Sequence, residues 1–300
     1  MATSFDVCVI GHVARDINSI GGVEHQPSPG GAAYYSTMVY RRLGMRAAVV
    51  TRVAEQDEPL LHELKDAGVT VFNLPSQVTT TFRNDYPSGD PDLRVQRVDA
   101  RAGPIVVAAL PDVSARVWQI GPLTETDVEL AMIAHCAALG GLVGMDVQGL
   151  TRVVVDGNVR ARAPVQRMDY LRNLDVLKAD DTEILAYTGA DDVPAAVATV
   201  RAAGAREVLV TRASAGATIY GPRAAIHIDA VPPRRTVDAT GCGDTFLAAY
   251  MARRLAFDDL RECGEFAAAA AALNIETLGA FRGTAADIAE RRVGAGRRPD

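Results

Sequence analysis

At 300 residues, 48% hydrophobic and 23% charged, the chain is long enough to bury one large core or two smaller ones. A formal net charge of -6, with basic pairs such as Arg41-Arg42, Arg253-Arg254 and Arg291-Arg292 scattered as on solvated helix faces, argues against nucleic acid or an anionic membrane as partner. Cys8, Cys136, Cys242 and Cys263 share no C-x-x-C spacing and have no His cluster beside them, so they are expected to be free thiols, not a zinc site or redox pair. The opening MATSFDVCVIGHVARD lacks a basic segment followed by a long apolar core, and no apolar stretch nears the ~20 residues that span a bilayer, so a cytoplasmic enzyme is expected.

In chain order, Phe5 to Gly11 is a short apolar run opening onto Gly-His, the pattern of a buried first strand. Residues 32 to 43 carry a helical pattern stopped by Gly44, and Ala47 to Val53 is the next strand, a β-α-β start. The alternation continues with a helix over 59–67, strands at 69–73, 117–120, 142–146, 176–178 and 207–211, and helices at 127–138, 181–187 and 193–203. Aromatics are sparse, at 5%, and alanine and glycine abundant, which suits close helix-to-sheet packing. The pattern predicts an α/β fold over residues 1–300: one mainly parallel, doubly wound sheet flanked by helices, with ligands at the carboxyl ends of its strands. Residues 17–29 and 79–101 break the rhythm, and the second reads as a β-hairpin around Pro-Ser-Gly-Asp-Pro. Together they are expected to form a small β lid, with an edge ribbon lacking any gating role as the alternative. The segment 294–300 is expected to be a disordered tail.

The chemistry concentrates in Thr236 to Ala249, TVDATGCGDTFLAA. A Gly-x-Gly-Asp turn leading into a small-residue helix places unpaired backbone N–H groups at a helix start, an anion hole. Gly241 and Gly243 let backbone approach phosphate oxygens, Cys242 lies between them, and Asp244 can aim a carboxylate at an incoming hydroxyl. The bland alternative is a tight loop with Asp244 only an N-cap.

This segment resembles the D-T-x-G-A-G-D signature of the ribokinase-like (PfkB-type) carbohydrate kinases, with Ala239 in place of the Thr and Cys242 in place of the middle Ala. The resemblance covers nearly the whole chain in order: Gly11 to Asp16 matches the early G-x-x-x-x-D, and Gly30-Gly31 the Gly-Gly that lies beneath the sugar. LKADDTEILAYTG is similar to the N-x-x-E segment that organises Mg2+ and phosphates, with Asp180 in the Asn position and Glu183 as the Glu. VTRASAGATIY resembles the nucleotide-binding strand and turn without its usual Gly after the Thr-x pair, making Thr211 and Gly216 candidates, and Asn274 is the polar position of the helix expected to flank adenine. The resemblance implies phosphoryl transfer from ATP with Asp244 as base and the Gly241 to Asp244 amides stabilising the transferred group. Asp238 and Thr240 lie where potassium-activated relatives bind a monovalent cation, so K+ is a further candidate.

For the acceptor, the GHVARD opening and GMDVQGLTR look most like the myo-inositol kinases of this family. That implies a cyclitol acceptor and makes Asp16, Asn84, Asp146, Gln148 and Arg152 candidates for the polyol pocket, with Arg83 beside Asn84 on the lid. Asp146 and Gln148 could instead simply end a strand, and Arg152 pair with a surface acid. The alternatives are a sugar or nucleoside kinase of the same fold, or a non-catalytic binding or regulatory protein. A dinucleotide-binding reading fails because no G-x-G-x-x-G follows the first strand. A homodimer through exposed lid strands is an open expectation.

Overall fold

A computed structural model describes residues 3–87, 95–161 and 168–295. Its main sheet has nine strands in the order Ala225–Ile228, Ala217–Tyr220, Glu207–Thr211, Val176–Asp180, Leu142–Asp146, Val113–Ile120, Thr3–Ile10, Ala47–Thr51 and Thr70–Asn73. From Glu207–Thr211 to Thr70–Asn73 every pairing is parallel, and the two remaining strands run antiparallel at one edge. The mainly parallel α/β architecture expected from the alternation is the one observed.

Strand periodicity explains why both faces are covered. Val7 and Val9 enter one buried cluster with helices Ala32–Arg42, Cys242–Arg254 and Leu260–Asn274, whereas Cys8 and Ile10 enter the other with Ala131–Leu139, Asp181–Thr188 and Val193–Ala202. Small residues set the helix-to-sheet distance: a Cβ on Gly144 would overlap the Met251 thioether. Three of the cysteines, Cys8, Cys136 and Cys263, are buried free thiols.

Several expected boundaries move for local reasons. The segment 59–67 is a short 3-10 turn, Glu55–Leu61, before the helical turn His62–Asp66, because Pro59 lies inside it and supplies no N–H. The helix expected from 127 starts at Ala131, since Asp127 accepts bonds from the Leu123 and Thr124 amides and the Thr124 hydroxyl and so closes a turn. Strands Ala14–Ile20, Arg152–Val155 and Asn158–Ala161 were not expected as such. Helix Ala285–Ala295 includes the first two residues of the expected tail, and 296–300 lie outside the described residues.

A second sheet of seven strands stands beside the carboxyl ends of the first. Its order is Arg152–Val155, Asn158–Ala161, Val95–Ala100, Thr81–Tyr86, Ala14–Ile20 and Val23–Glu24, with Ser28–Gly30 pairing Ala14–Ile20. Thr81–Tyr86 and Val95–Ala100 pair antiparallel, and most of the turn expected between them lies outside the described residues. Ala14, Phe82 and Val98 of this sheet pack on Ala32 and Leu123, joining it to the main body.

Candidate active site

Between the two sheets lies a cavity of about 760 Å³, a volume suited to small ligands. At its centre Gly241, at φ 74, is the N-cap of helix Cys242–Arg254. The left-handed turn is open only to glycine here, because a Cβ would also meet the Tyr35 ring at 2.5 Å. The Cys242 and Thr245 amides bond Ala239 O and Gly241 O, while those of Gly243 and Asp244 make no hydrogen bond among the described residues. These two N–H groups at the positive end of the helix are a ready site for an anion.

Asp244 is therefore not the N-cap; it lies in the first turn, half-buried, with its side chain on the cavity. Burial pushes its carboxyl up to about 7, helped by the neighbouring Asp146 charge and opposed by Lys178 and Arg152. A carboxylate tuned to that range is matched to proton transfer near neutrality.

Two residues behind the loop hold its shape. The Asp238 carboxylate accepts from the Thr240 amide at 2.8 Å, and the Asn274 amide donates to Thr240 O at 3.1 Å. Asn274 is 0% exposed, and neither it nor Asp238 lines the cavity. Helix Leu260–Asn274 turns the Asn274 side chain, expected beside adenine, onto the loop. The Asp238 carboxylate, expected to offer oxygen to a cation, has Oδ1 on the Thr240 amide and its other oxygen out of that bond. Burial pushes the Cys242 thiol up to about 11, so it remains protonated at neutral pH.

The sequence reading overlooked Lys178. It comes from the middle of strand Val176–Asp180, is only 5% exposed, and its ammonium lies 2.7 Å from Asp146 Oδ2. A Cβ on Gly243 would come within 2.8 Å of that ammonium, so the cation sits directly against the glycine loop. Burial alone lowers the Lys178 pKa, but Asp146 and Glu183 outweigh it, and the side chain is held charged. A lysine between Leu177 and Ala179 inside a strand was the available signal. Asp146 does end its strand and accepts from the Gln148 amide at 3.0 Å, but it also carries this ion pair and lines the cavity.

Asp180 and Glu183 form a capping box on helix Asp181–Thr188: Asp180 Oδ1 accepts from the Glu183 amide at 2.6 Å and Glu183 Oε2 from the Asp180 amide at 2.9 Å. Each keeps a second carboxylate oxygen out of these bonds, and both residues line the cavity. Burial and the Asp146 charge raise the Glu183 pKa. Among the described residues no cluster of three or more His, Cys, Asp or Glu could cage a metal. The set fits magnesium, which uses one or two carboxylates and fills its shell with phosphate and water.

The cavity has two dissimilar ends. One is lined by Asp16, Gly31, Tyr35, Phe82, Gln96, Leu123, Gln148 and Arg152. Gly30 lies just outside it, where a Cβ would overlap the Asp16 carboxylate, and Asn84 is covered by Gln96. Arg83, on the opposite face of its strand, pairs with Glu24 and Asp99 away from the cavity. The other end passes Thr211 and Gly216 into an apolar groove of Val231, Ala268, Ala271, Ala272 and Ile275. Gly216, at φ 83, is needed because a Cβ would overlap Ile228 O. Ala213, where the resembling motif has Gly, adopts φ 45.

Residues 142–285 match the family model described as pfkB family carbohydrate kinase. A cytidine kinase of Thermococcus kodakarensis is 28% identical over 272 residues, 86% of this chain and 91% of its own. Among solved structures, a sulfate complex of a pyrophosphate-dependent kinase in the ribokinase family is 26% identical with a TM-score of 0.84, covering 94% of this chain and 99% of its own. A pyrophosphate-dependent kinase in the ribokinase family, complexed with a pyrophosphate analog and myo-inositol, gives 24% and 0.84 over 95% and 99% of the two chains. Arabidopsis thaliana ribokinase with ribose and ATP gives 21% and 0.76 over 97% and 99%. The glycine loop with its two unspent amides lies inside the segment that matches the pfkB family carbohydrate kinase model, and the chain has the fold of these ribokinase-family structures.

Proposed function

We propose that this chain transfers the γ-phosphoryl group of ATP to a hydroxyl of a cyclitol such as myo-inositol. The observation that carries the reading is the order of groups along one cavity: a hydroxyl-binding end, Asp244 beside the glycine loop and Lys178, then an apolar groove.

In this mechanism the acceptor sits against Asp16, Gln148 and Arg152, with one hydroxyl toward Asp244. The Asp244 carboxylate takes the hydroxyl proton as the oxygen attacks the γ-phosphorus, and the bond from that phosphorus to the bridging oxygen breaks with ADP leaving. The Gly243 and Asp244 amides and the Lys178 ammonium meet the charge on the transferred group, which in phosphoryl transfer is spread over its equatorial oxygens. Asp180 and Glu183 would hold magnesium, which when bound neutralises phosphate charge. No monovalent cation is assigned a role.

The groove of Val231, Ala268, Ala271, Ala272 and Ile275 supports ATP as donor, since an adenine ring gains from apolar surface that pyrophosphate cannot use. Two structural neighbours are nevertheless described as pyrophosphate-dependent, so the donor is tested directly. Initial rates with ATP and with pyrophosphate, on a panel of cyclitols, sugars and nucleosides, decide both substrates. Turnover with pyrophosphate and not ATP would reject the donor assignment. A nucleoside acceptor is the second reading, favoured by Phe82 and Leu123 at the acceptor end and by the cytidine kinase relative. Activity confined to nucleosides would establish it in place of the cyclitol.

A further inference from the structure

We propose that Arg291, on the helix Ala285–Ala295, is a positioning residue for the donor: through Glu276 and Pro232 it holds together the two segments that line the apolar groove, and so sets the affinity for the nucleotide base without touching it. The inference rests on the reading of that groove as the seat of an adenine ring.

The two lining segments are far apart in sequence. One is Val231 to Pro233, and the other is the part of helix Leu260–Asn274 that carries Ala268, Ala271 and Ala272, continued by Ile275. No strand or helix lies between Ile228 and Cys242, so the backbone groups of that connection must find partners outside a ladder. They find them just past the end of the helix. The Val237 and Asp238 amides donate to Ile275 O at 2.8 and 3.2 Å, the Arg234 amide donates to Glu276 Oε1, and Arg235 Nε donates to Glu276 O at 3.2 Å.

Glu276 is thus the clasp between the two segments, and Arg291 fixes it from behind. Nη1 of Arg291 donates to Glu276 Oε1 at 2.7 Å and Nη2 to Oε2 at 2.8 Å, while Nη1 also reaches Pro232 O at 3.5 Å. The Arg291 and Glu276 side chains are 8% and 13% exposed, and a forked pair so shielded holds a geometry that a solvated ion pair does not. The Arg291 bond is the first cause holding the Glu276 carboxyl below its ordinary range, so the clasp stays ionised at neutral pH. Neither residue lines the cavity, and Arg291 lies beyond the segment 142–285 matched by the family model.

The clasp acts on one part of the donor. A flat ring gains from apolar surface only at contact distance, and a gap of about 0.5–1 Å already forfeits a quarter to a half of that attraction. Phosphate oxygens are met instead by the Gly243 and Asp244 amides and Lys178, which helix Cys242–Arg254 and strand Val176–Asp180 position. Loosening the clasp therefore weakens the base contact and spares the phosphates.

The test measures ATP KM, acceptor KM and kcat with the best acceptor of the wild type, together with inhibition constants for AMP, which carries the base, and tripolyphosphate, which carries only a phosphate chain. The proteins are wild type, Arg291→Met, Arg291→Lys and Glu276→Gln. R291M is expected to raise ATP KM and the AMP constant about tenfold, the low end of what a lost contact in an apolar pocket costs, with the tripolyphosphate constant, acceptor KM and kcat within about twofold. R291K keeps the charge without the fork, and E276Q keeps an oxygen for the Arg234 amide without the ion pair, so both should fall between wild type and R291M. If R291M does not fold, these two carry the same comparison, and an unchanged acceptor KM reports that they are folded. An ATP KM within about twofold of wild type overturns the assignment. An equal rise for tripolyphosphate also overturns it, because the clasp would then act on the anion loop or on the whole fold. A wild type that uses pyrophosphate, and neither turns over ATP nor binds AMP, rejects the ATP reading and this inference with it. ATP turnover that is indifferent to these substitutions rejects the inference alone.

Discussion

Replacing Asp244 by Asn keeps the side-chain shape and removes one carboxylate from a site that already contains Asp146 and Glu183. In the fold this carboxyl titrates at about 7 against an ordinary 3.8, so ionising it in place costs about 4 kcal/mol relative to the unfolded chain. The sign follows from the raised value. Below the ordinary carboxyl range both states are neutral and the wild type carries no cost. As pH rises through 7 the folded state must hold the charge, and the full cost is present above that. D244N should therefore be more stable than wild type, by about 4 kcal/mol at pH 8.5 and about half of that at pH 5.5. For a chain of this size that corresponds to a Tm gain of about 8 °C narrowing to about 4 °C. The same variant should lose about 10²- to 10⁴-fold in kcat, because no base accepts the hydroxyl proton. Thermal melts at the two pH values and steady-state rates read both effects. A Tm difference that is negative or independent of pH would refute the buried-charge argument, and retained turnover would refute Asp244 as base.

The remaining predictions concern the surroundings of that carboxylate. Lys178→Met leaves Asp146 buried without its cation and should cost about 3–5 kcal/mol in urea unfolding. Adding Asp146→Asn should recover most of that stability without restoring activity. Gly30→Ala drives a methyl into the Asp16 carboxylate, so acceptor KM should rise severalfold in steady-state assays while donor KM stays put. Ala213→Gly relieves a left-handed alanine at φ 45 and should raise stability by about 0.5–1 kcal/mol in the same unfolding assay, less than the full strain because glycine also loosens the unfolded chain.

What could be read in the chain depended on how local the encoding was. The apolar runs at 5–11, 142–146 and 207–211 become parallel strands because a run without alternation is stable only when both faces are covered, and the alternating helices cover them. The anion loop was equally legible, since Gly241 and the helix that follows are adjacent in sequence and need no partner to define a helix start. The β character of 79–101 showed in its alternation. That Gln96 and not Asn84 meets the cavity did not, because strand register decides which of two neighbouring amides is covered.

The same division holds around Asp244. Its place at a helix start beside glycines is a property of the sequence alone. Its elevated pKa, the Lys178 to Asp146 ion pair and the grip of Asn274 on Thr240 belong to the tertiary structure. Lys178 and Asp146 are 32 residues apart and meet only because their strands are neighbours in the sheet, and Asn274 reaches Thr240 across 34 residues of loop and helix packing. Charge energies depend on distance and burial, and both arise only when strand order and helix packing bring remote segments together. The chain by itself therefore specifies a carboxylate at the mouth of an anion hole, and the assembled sheets decide its charge, its neighbours and what it faces.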